Sequence, residues 1–156
     1  MAGLNKSDDQ LLLQRMARYC AFRERCECEV RAKLADLGVL NQQADDFVRK
    51  LKAENFIDDQ RFLESFVRGK FRNNKWGRNR IKLELQQRGF SDADISDSFE
   101  FIPEEEYILL LKELLLDKFN HVHEPDIYVK RSKVAAYVIR KGFEPDLVWE
   151  HLKPLK

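Results

Sequence analysis

One pattern recurs three times along the chain. Val30-x-x-x-Leu34-x-x-x-Gly38-Val39 is matched by Ile81-x-x-x-Leu85-x-x-x-Gly89-Phe90, 51 residues later, and by Val134-x-x-x-Val138-x-x-x-Gly142-Phe143, a further 53 residues on. Apolar residues four apart line one stripe of a helix. A glycine just beyond the stripe ends that helix, because it takes the positive-φ position without steric cost. A helical unit of about 50 residues repeated in tandem follows. Each unit reads as helix, helix ending in glycine, short helix. The expected fold is all-α, with three tandem three-helix (helix-turn-helix-like) repeats at 7–55, 56–103 and 104–156. Modules of this kind stack on their neighbours into an elongated, curved array that offers long surfaces rather than one deep pocket.

Composition agrees with that class. Hydrophobic residues make up 44%, enough for a core, while charged residues reach 35% and only six glycines and four prolines are spread over the chain. A β-sandwich would need denser turn residues. The net charge of +1 provides no global field, so electrostatic recognition must come from local asymmetry. Met1-Ala2-Gly3-Leu4-Asn5-Lys6 lacks the apolar core of a signal peptide, and the leucine run at 108–116 is too short and interrupted to span a bilayer. The expectation is a soluble, cytoplasmic protein with no membrane partner. Cys20, Cys26 and Cys28 are read as reduced, structural thiols, since Cys26-x-Cys28 is not a zinc-knuckle spacing.

Local signals place the helices. Ser7-Asp8-Asp9-Gln10 has the form of a capping box for a helix that turns Leu12, Met16 and Tyr19 inward. Val30, Leu34 and Leu37 share a face of the second helix; Ala44, Phe47, Val48 and Leu51 share one on the third. Asp58 or Asp59 caps the fourth, which carries Phe62, Phe66 and Val67, and Arg61 is placed to pair with one of those carboxylates. Gly77 opens the fifth and Gly89 closes it. Ser91-x-x-Asp94 caps a sixth with Ile95 and Phe99, limited by Pro103. Glu104-Glu105-Glu106 favours the start of the seventh through its dipole. Asp126 opens the eighth, and Pro145 fits the first turn of the last.

Charge is concentrated in the middle unit. From Arg68 to Arg88 there are eight basic residues (Arg68, Lys70, Arg72, Lys75, Arg78, Arg80, Lys82, Arg88) and one acidic one, Glu84, with Phe71 and Trp76 interleaved. Glu84 precedes Arg88 by four, the better order for a helical ion pair. A solvated helical face is the plain reading of such a run. The sharper one is a site for a polyanion or an acidic protein surface. Trp76 sits beside Gly77 at a helix boundary, where packing competes with a role as an aromatic anchor.

The junction Phe56-Ile57-Asp58-Asp59-Gln60-Arg61-Phe62, followed by Gly77-x-x-Arg80-Ile81-x-x-Glu84-Leu85-x-x-Arg88-Gly89-Phe90, closely resembles the RecX family of RecA regulators. Arg25-Cys26-x-x-Glu29-Val30-x-x-Lys33-Leu34 in the first unit, where the family usually has Ser at the position of Cys26, and Lys133-Val134-Ala135-x-Tyr137-Val138-x-Arg140-Lys141-Gly142-Phe143 in the third extend the likeness over about Leu12 to Leu152. The resemblance implies a bacterial protein that binds the RecA–single-stranded DNA filament along its groove. It also implies inhibition of strand exchange, ATP hydrolysis and coprotease activity, with the protein acting as a monomer.

The expected contact surface comprises Arg68, Arg72, Lys75, Trp76, Arg78, Arg80, Lys82 and Arg88, joined by Lys130, Arg131, Lys133 and Arg140 of a second basic helix. Arg78 and Lys82 form one stripe, so reversing both charges is expected to spare the fold and weaken inhibition. The competing class is a sequence-independent DNA-binding helical module acting without RecA; weak direct DNA binding is compatible with either. An enzyme is disfavoured. The sequence has no Gly-rich phosphate loop, nucleophile motif or metal-ligand cluster, and implies no cofactor.

Overall fold

A computed structural model describes residues 5–156. All regular structure among them is helical: α1 (Lys6–Phe22), α2 (Glu27–Asp36), α3 (Asn41–Ala53), α4 (Asp59–Arg72), α5 (Arg78–Gln87), α6 (Asp92–Ser98), a 3-10 turn (Phe99–Phe101), α7 (Glu104–His121), α8 (Ile127–Arg140) and α9 (Pro145–Leu152). The helix order follows the expected triplets. Compactness draws one line, inside α4, giving units of residues 1–65 and 66–156.

The first unit is built around the stripe that the repeat pattern identified. Val30 and Leu34 of α2 are fully buried, against Met16 and Cys20 of α1 and Ala44, Phe47, Val48 and Leu51 of α3. Leu12, Tyr19 and Leu37 pack at its margin, half-buried. Gly38, at φ +80°, lets the chain reverse, so that the Val39 amide donates to the Leu34 carbonyl at 2.8 Å and the Gly38 amide to Ala35 at 3.0 Å. Those two bonds satisfy carbonyls that the helix end leaves open, and they bury Val39. Arg25, 8% exposed, lies over the Tyr19 ring and donates to the Tyr19 carbonyl, closing the α1–α2 turn.

Two local expectations fail here. Ser7 does not cap α1. The Asn5 carbonyl already accepts from the Asp8 and Asp9 amides, so the helix begins at Lys6 and Ser7 falls within its first turn. Arg61 does not pair with Asp58 or Asp59. Asp58 uses its carboxylate to cap α4, accepting from the Arg61 amide at 2.9 Å, while the Arg61 guanidinium reaches Glu24 at 2.9 Å and the Asn55 carbonyl at 2.8 Å.

The second unit has α7 at its centre. Tyr107, Leu111, Leu115 and Phe119, four apart, form its buried stripe. Against this unit's core also stand Val67 and Phe71 of α4, Ile81 and Leu85 of α5, Ile95 of α6, Val134 and Val138 of α8, Phe143, and Val148 and Leu152 of α9. Burying each such side chain stabilises the fold by roughly 1.5–3 kcal/mol before entropy is counted. Phe66, expected inside, is only half-buried. The expected caps form at Ser91, which accepts from the Asp94 amide, and at Asp126, which accepts from the Tyr128 and Val129 amides. Pro145 occupies the first turn of α9. Among the described residues no helix is long and apolar enough to cross a membrane.

Candidate partner-binding surface

The basic surface is built on the second half of α4, the turn after it, and α5. The turn closes when the Trp76 amide donates to the Lys70 carbonyl at 3.1 Å, with Lys75 at φ +56°. Gly77, the N-cap residue of α5, then runs against the end of α8. Its amide donates to the Lys141 carbonyl at 2.8 Å, and the Asn79 amide donates to the Gly142 carbonyl at 2.9 Å. A Cβ at Gly77 would penetrate the backbone of Gly142 and Phe143. Gly142, at φ +104°, is equally constrained: a Cβ there would lie 2.5 Å from the Arg80 Cβ and 2.6 Å from the Arg80 nitrogen. Both positions therefore require glycine for close approach, and Gly142 for its φ as well.

Arg78 lies beside this contact, not on the open surface. Its side chain is 21% exposed. The guanidinium stacks over the Tyr107 ring at 3.8 Å, donates to Glu144 Oε2 at 3.0 Å and pairs with Glu104. The Tyr107 hydroxyl accepts from the Arg78 amide at 3.2 Å and donates to the other Glu144 oxygen. The Tyr107 ring itself packs against Phe71 and Phe143. Arg78 thus joins the starts of α5, α7 and α9. The Arg78 and Lys82 stripe expected from spacing separates: Lys82 is exposed and makes no ion pair among the described residues. Reversing Arg78 would add a carboxylate to two already present, so that double variant cannot be assumed to spare the fold.

Burial, together with the hydrogen bond to Glu144, pushes the Tyr107 phenol well above the ordinary tyrosine range. An unfolded tyrosine ionises near pH 10. The neutral phenol's contribution is therefore complete below about pH 10 and declines as pH rises beyond it, because ionisation then favours the unfolded chain. In an alkaline titration the last phenolate absorbance is expected to arrive with unfolding, and Tyr107→Phe should remove that late component.

The other basic residues divide by what holds them. The Arg80 guanidinium stands over the Trp76 ring at 4.1 Å and the Lys70 ammonium at 4.9 Å, with Lys70 also 5.4 Å from the Phe66 ring. Arg88 lies over Phe66 at 4.9 Å and pairs with Glu84 at 3.0 Å, the helical pair that its spacing predicted. Arg68 is exposed over Phe101. Arg72 and Glu106 are 3.6 Å apart, both more than two-fifths exposed, which makes for a weak pair. Trp76 is half-buried, between the two roles weighed for it.

On α8 the expected set is mostly engaged within the fold. Arg131 donates to the Lys153 and Leu155 carbonyls beyond the end of α9, Lys133 pairs with Glu124 at 3.0 Å, and Lys130 stands over Phe119 at 4.0 Å. Arg140 is exposed and makes no ion pair among the described residues. It shares an open groove with Arg80, Leu83, Gln87 and Ile139. Exposed Leu83 and that groove escaped the sequence reading, since nothing in spacing says that the end of α8 meets α5. Tyr107 and Glu144 escaped it too; Glu144 two residues after Gly142 is the one signal that could have suggested a partner for a nearby arginine.

Comparison with known proteins agrees with this architecture. Residues 58–98, which hold α4 to α6, match the family described as RecX, second three-helix domain. The regulatory protein RecX of Clostridium acetobutylicum is 29% identical over 133 residues, 83% of this chain and 61% of that one. That of Oceanobacillus iheyensis is 25% identical over 130 residues, 83% of this chain and 48% of that one. This chain thus spans about half to three-fifths of these relatives' length. The crystal structure of RecX from Lactobacillus salivarius superposes with a TM-score of 0.84 at 22% identity, covering 97% of this chain and 98% of that one, which establishes the shared fold. Its central helices fit that domain and these RecX proteins align with it over most of its length, so the chain is similar to the RecX family.

Proposed function

We propose that this protein is a regulator of RecA: it binds the RecA–single-stranded DNA filament along its groove and inhibits recombinase, ATPase and coprotease activity. It acts as a monomer in the cytoplasm, through three modules at 7–55, 56–103 and 104–156. The observation that carries this reading is the set of exposed cations without carboxylate partners among the described residues, Lys75, Arg80, Lys82 and Arg140, on a chain of near-neutral net charge. A contact confined to such a patch suits a particular assembly better than bulk polyanion. Repeating modest contacts over several protomers raises the effective concentration of each. The effect on the filament comes from binding one of its states better than another, with no bond made or broken by this chain.

Preformed filaments of the cognate RecA on single-stranded DNA supply the test. Added below one copy per RecA, the protein should slow ATP hydrolysis; no effect up to equimolar amounts would overturn the reading. Lys82→Glu with Arg140→Glu replaces the stripe variant first suggested by spacing. It should leave circular dichroism unchanged and raise the half-inhibitory concentration about tenfold.

A further inference from the structure

Among the described residues, three other than glycine have positive φ: Asn41, Asn55 and Lys75. Asparagine tolerates the left-handed region, because its short amide can bond locally; lysine has no such compensation. The Asn55 and Lys75 turns share one feature. Each residue precedes a half-buried aromatic, Phe56 or Trp76, whose amide bonds back to the preceding helix, five residues back at Leu51 and six back at Lys70, so the second turn is one residue longer. The first turn uses the favourable residue. The second has Asn73 and Asn74 at hand and still places lysine at the strained position. Strain retained at one exposed side chain points to a use for that side chain.

Lys75 is exposed and makes no ion pair among the described residues. Next to it in the chain stands the cluster of Lys70 and Arg80 over the Trp76 ring. Cations held by an aromatic ring keep their charge uncompensated and their positions fixed. We propose that the turn between α4 and α5, led by Lys75, is the point where carboxylates of the partner protein dock. This rests on the function proposed above and assigns the contact to protein rather than to DNA phosphate.

Two features favour carboxylate over phosphate. A nucleic-acid base would have to displace Arg80 or Lys70 in order to stack on Trp76. The neighbouring cations are also interspersed with acids: Arg72 lies 3.6 Å from Glu106 and Arg88 pairs with Glu84. A sugar–phosphate chain passing beyond the cluster would meet those acids, whereas a local group of carboxylates would not.

The test uses Lys75→Asn and Lys75→Glu in the full chain. Lys75→Asn keeps the turn, relieves strain and removes the charge. Its thermal midpoint should rise by about 2 °C, and its half-inhibitory concentration on filaments should rise about three- to tenfold. Lys75→Glu should inhibit still less. Binding of both variants to a bare single-stranded oligonucleotide should match the wild type. Inhibition by Lys75→Asn within twofold of wild type overturns the proposal, as does an unraised thermal midpoint. An equal loss on the bare oligonucleotide overturns the choice of carboxylate. Wild-type protein with no effect on filaments is a separate result, which removes the proposed function and this docking site with it.

Discussion

Gly142→Ala is expected to lose about 3–5 kcal/mol of stability. Two costs combine. At φ +104° an L side chain is strained, and the added carbon would sit 2.5 Å from the Arg80 Cβ with backbone on either side. Neither the start of α5 nor the end of α8 can retreat without breaking the Gly77–Lys141 and Asn79–Gly142 hydrogen bonds. Gly89→Ala provides the control. It has the same left-handed requirement, at φ +86°, with no atom within 4 Å of its Cβ position, so it should lose only about 1 kcal/mol. Urea unfolding of both variants separates strain from collision. Equal losses would mean that the α5–α8 contact yields easily. Gly77→Ala meets the same obstruction from the other side, so combining it with Gly142→Ala should cost less than the sum of the two.

Arg78→Glu is the second large effect, expected to cost about 3–5 kcal/mol. The substituted carboxylate would face Glu104 and Glu144 and leave the Tyr107 ring without its cation. Arg78→Met keeps much of the packing over the ring and removes the charge. It should cost about 1–2 kcal/mol, because the Glu144 carboxylate, still held by the Tyr107 hydroxyl, loses one of two partners. Glu104→Gln should stay within about 0.5 kcal/mol, since that carboxylate is two-thirds exposed. Thermal unfolding ranks the three. If Arg78→Glu were as stable as wild type, the arginine would belong on the partner-facing surface after all.

These two cases mark where sequence reading reached and where it stopped. The recurring stripes Val30/Leu34, Ile81/Leu85 and Val134/Val138 are all buried, and the glycines that follow each stripe all have positive φ. Such features are local: a period of 3.6 and a left-handed residue are set within a few positions of chain. Asp58, Ser91 and Asp126 cap their helices for the same reason. What failed depends on partners distant in sequence. Arg78 and Lys82 share a helix face by spacing, yet Glu144, 66 residues beyond Arg78, decides that only one of them turns outward. Arg131 read as surface charge until α9 brought two carbonyls to it. Charge tells where a contact could be made; the fold decides which charges are already engaged.

Main-chain bonding between Gly77 and the end of α8 has a bearing on dissection. A fragment ending before α7 would strip the Gly77 and Asn79 amides of their acceptors and remove Tyr107 from beneath Arg78. Excising the middle helices would therefore disturb the basic surface that they carry. A shortened version that retains residues 66–156 preserves those acceptors.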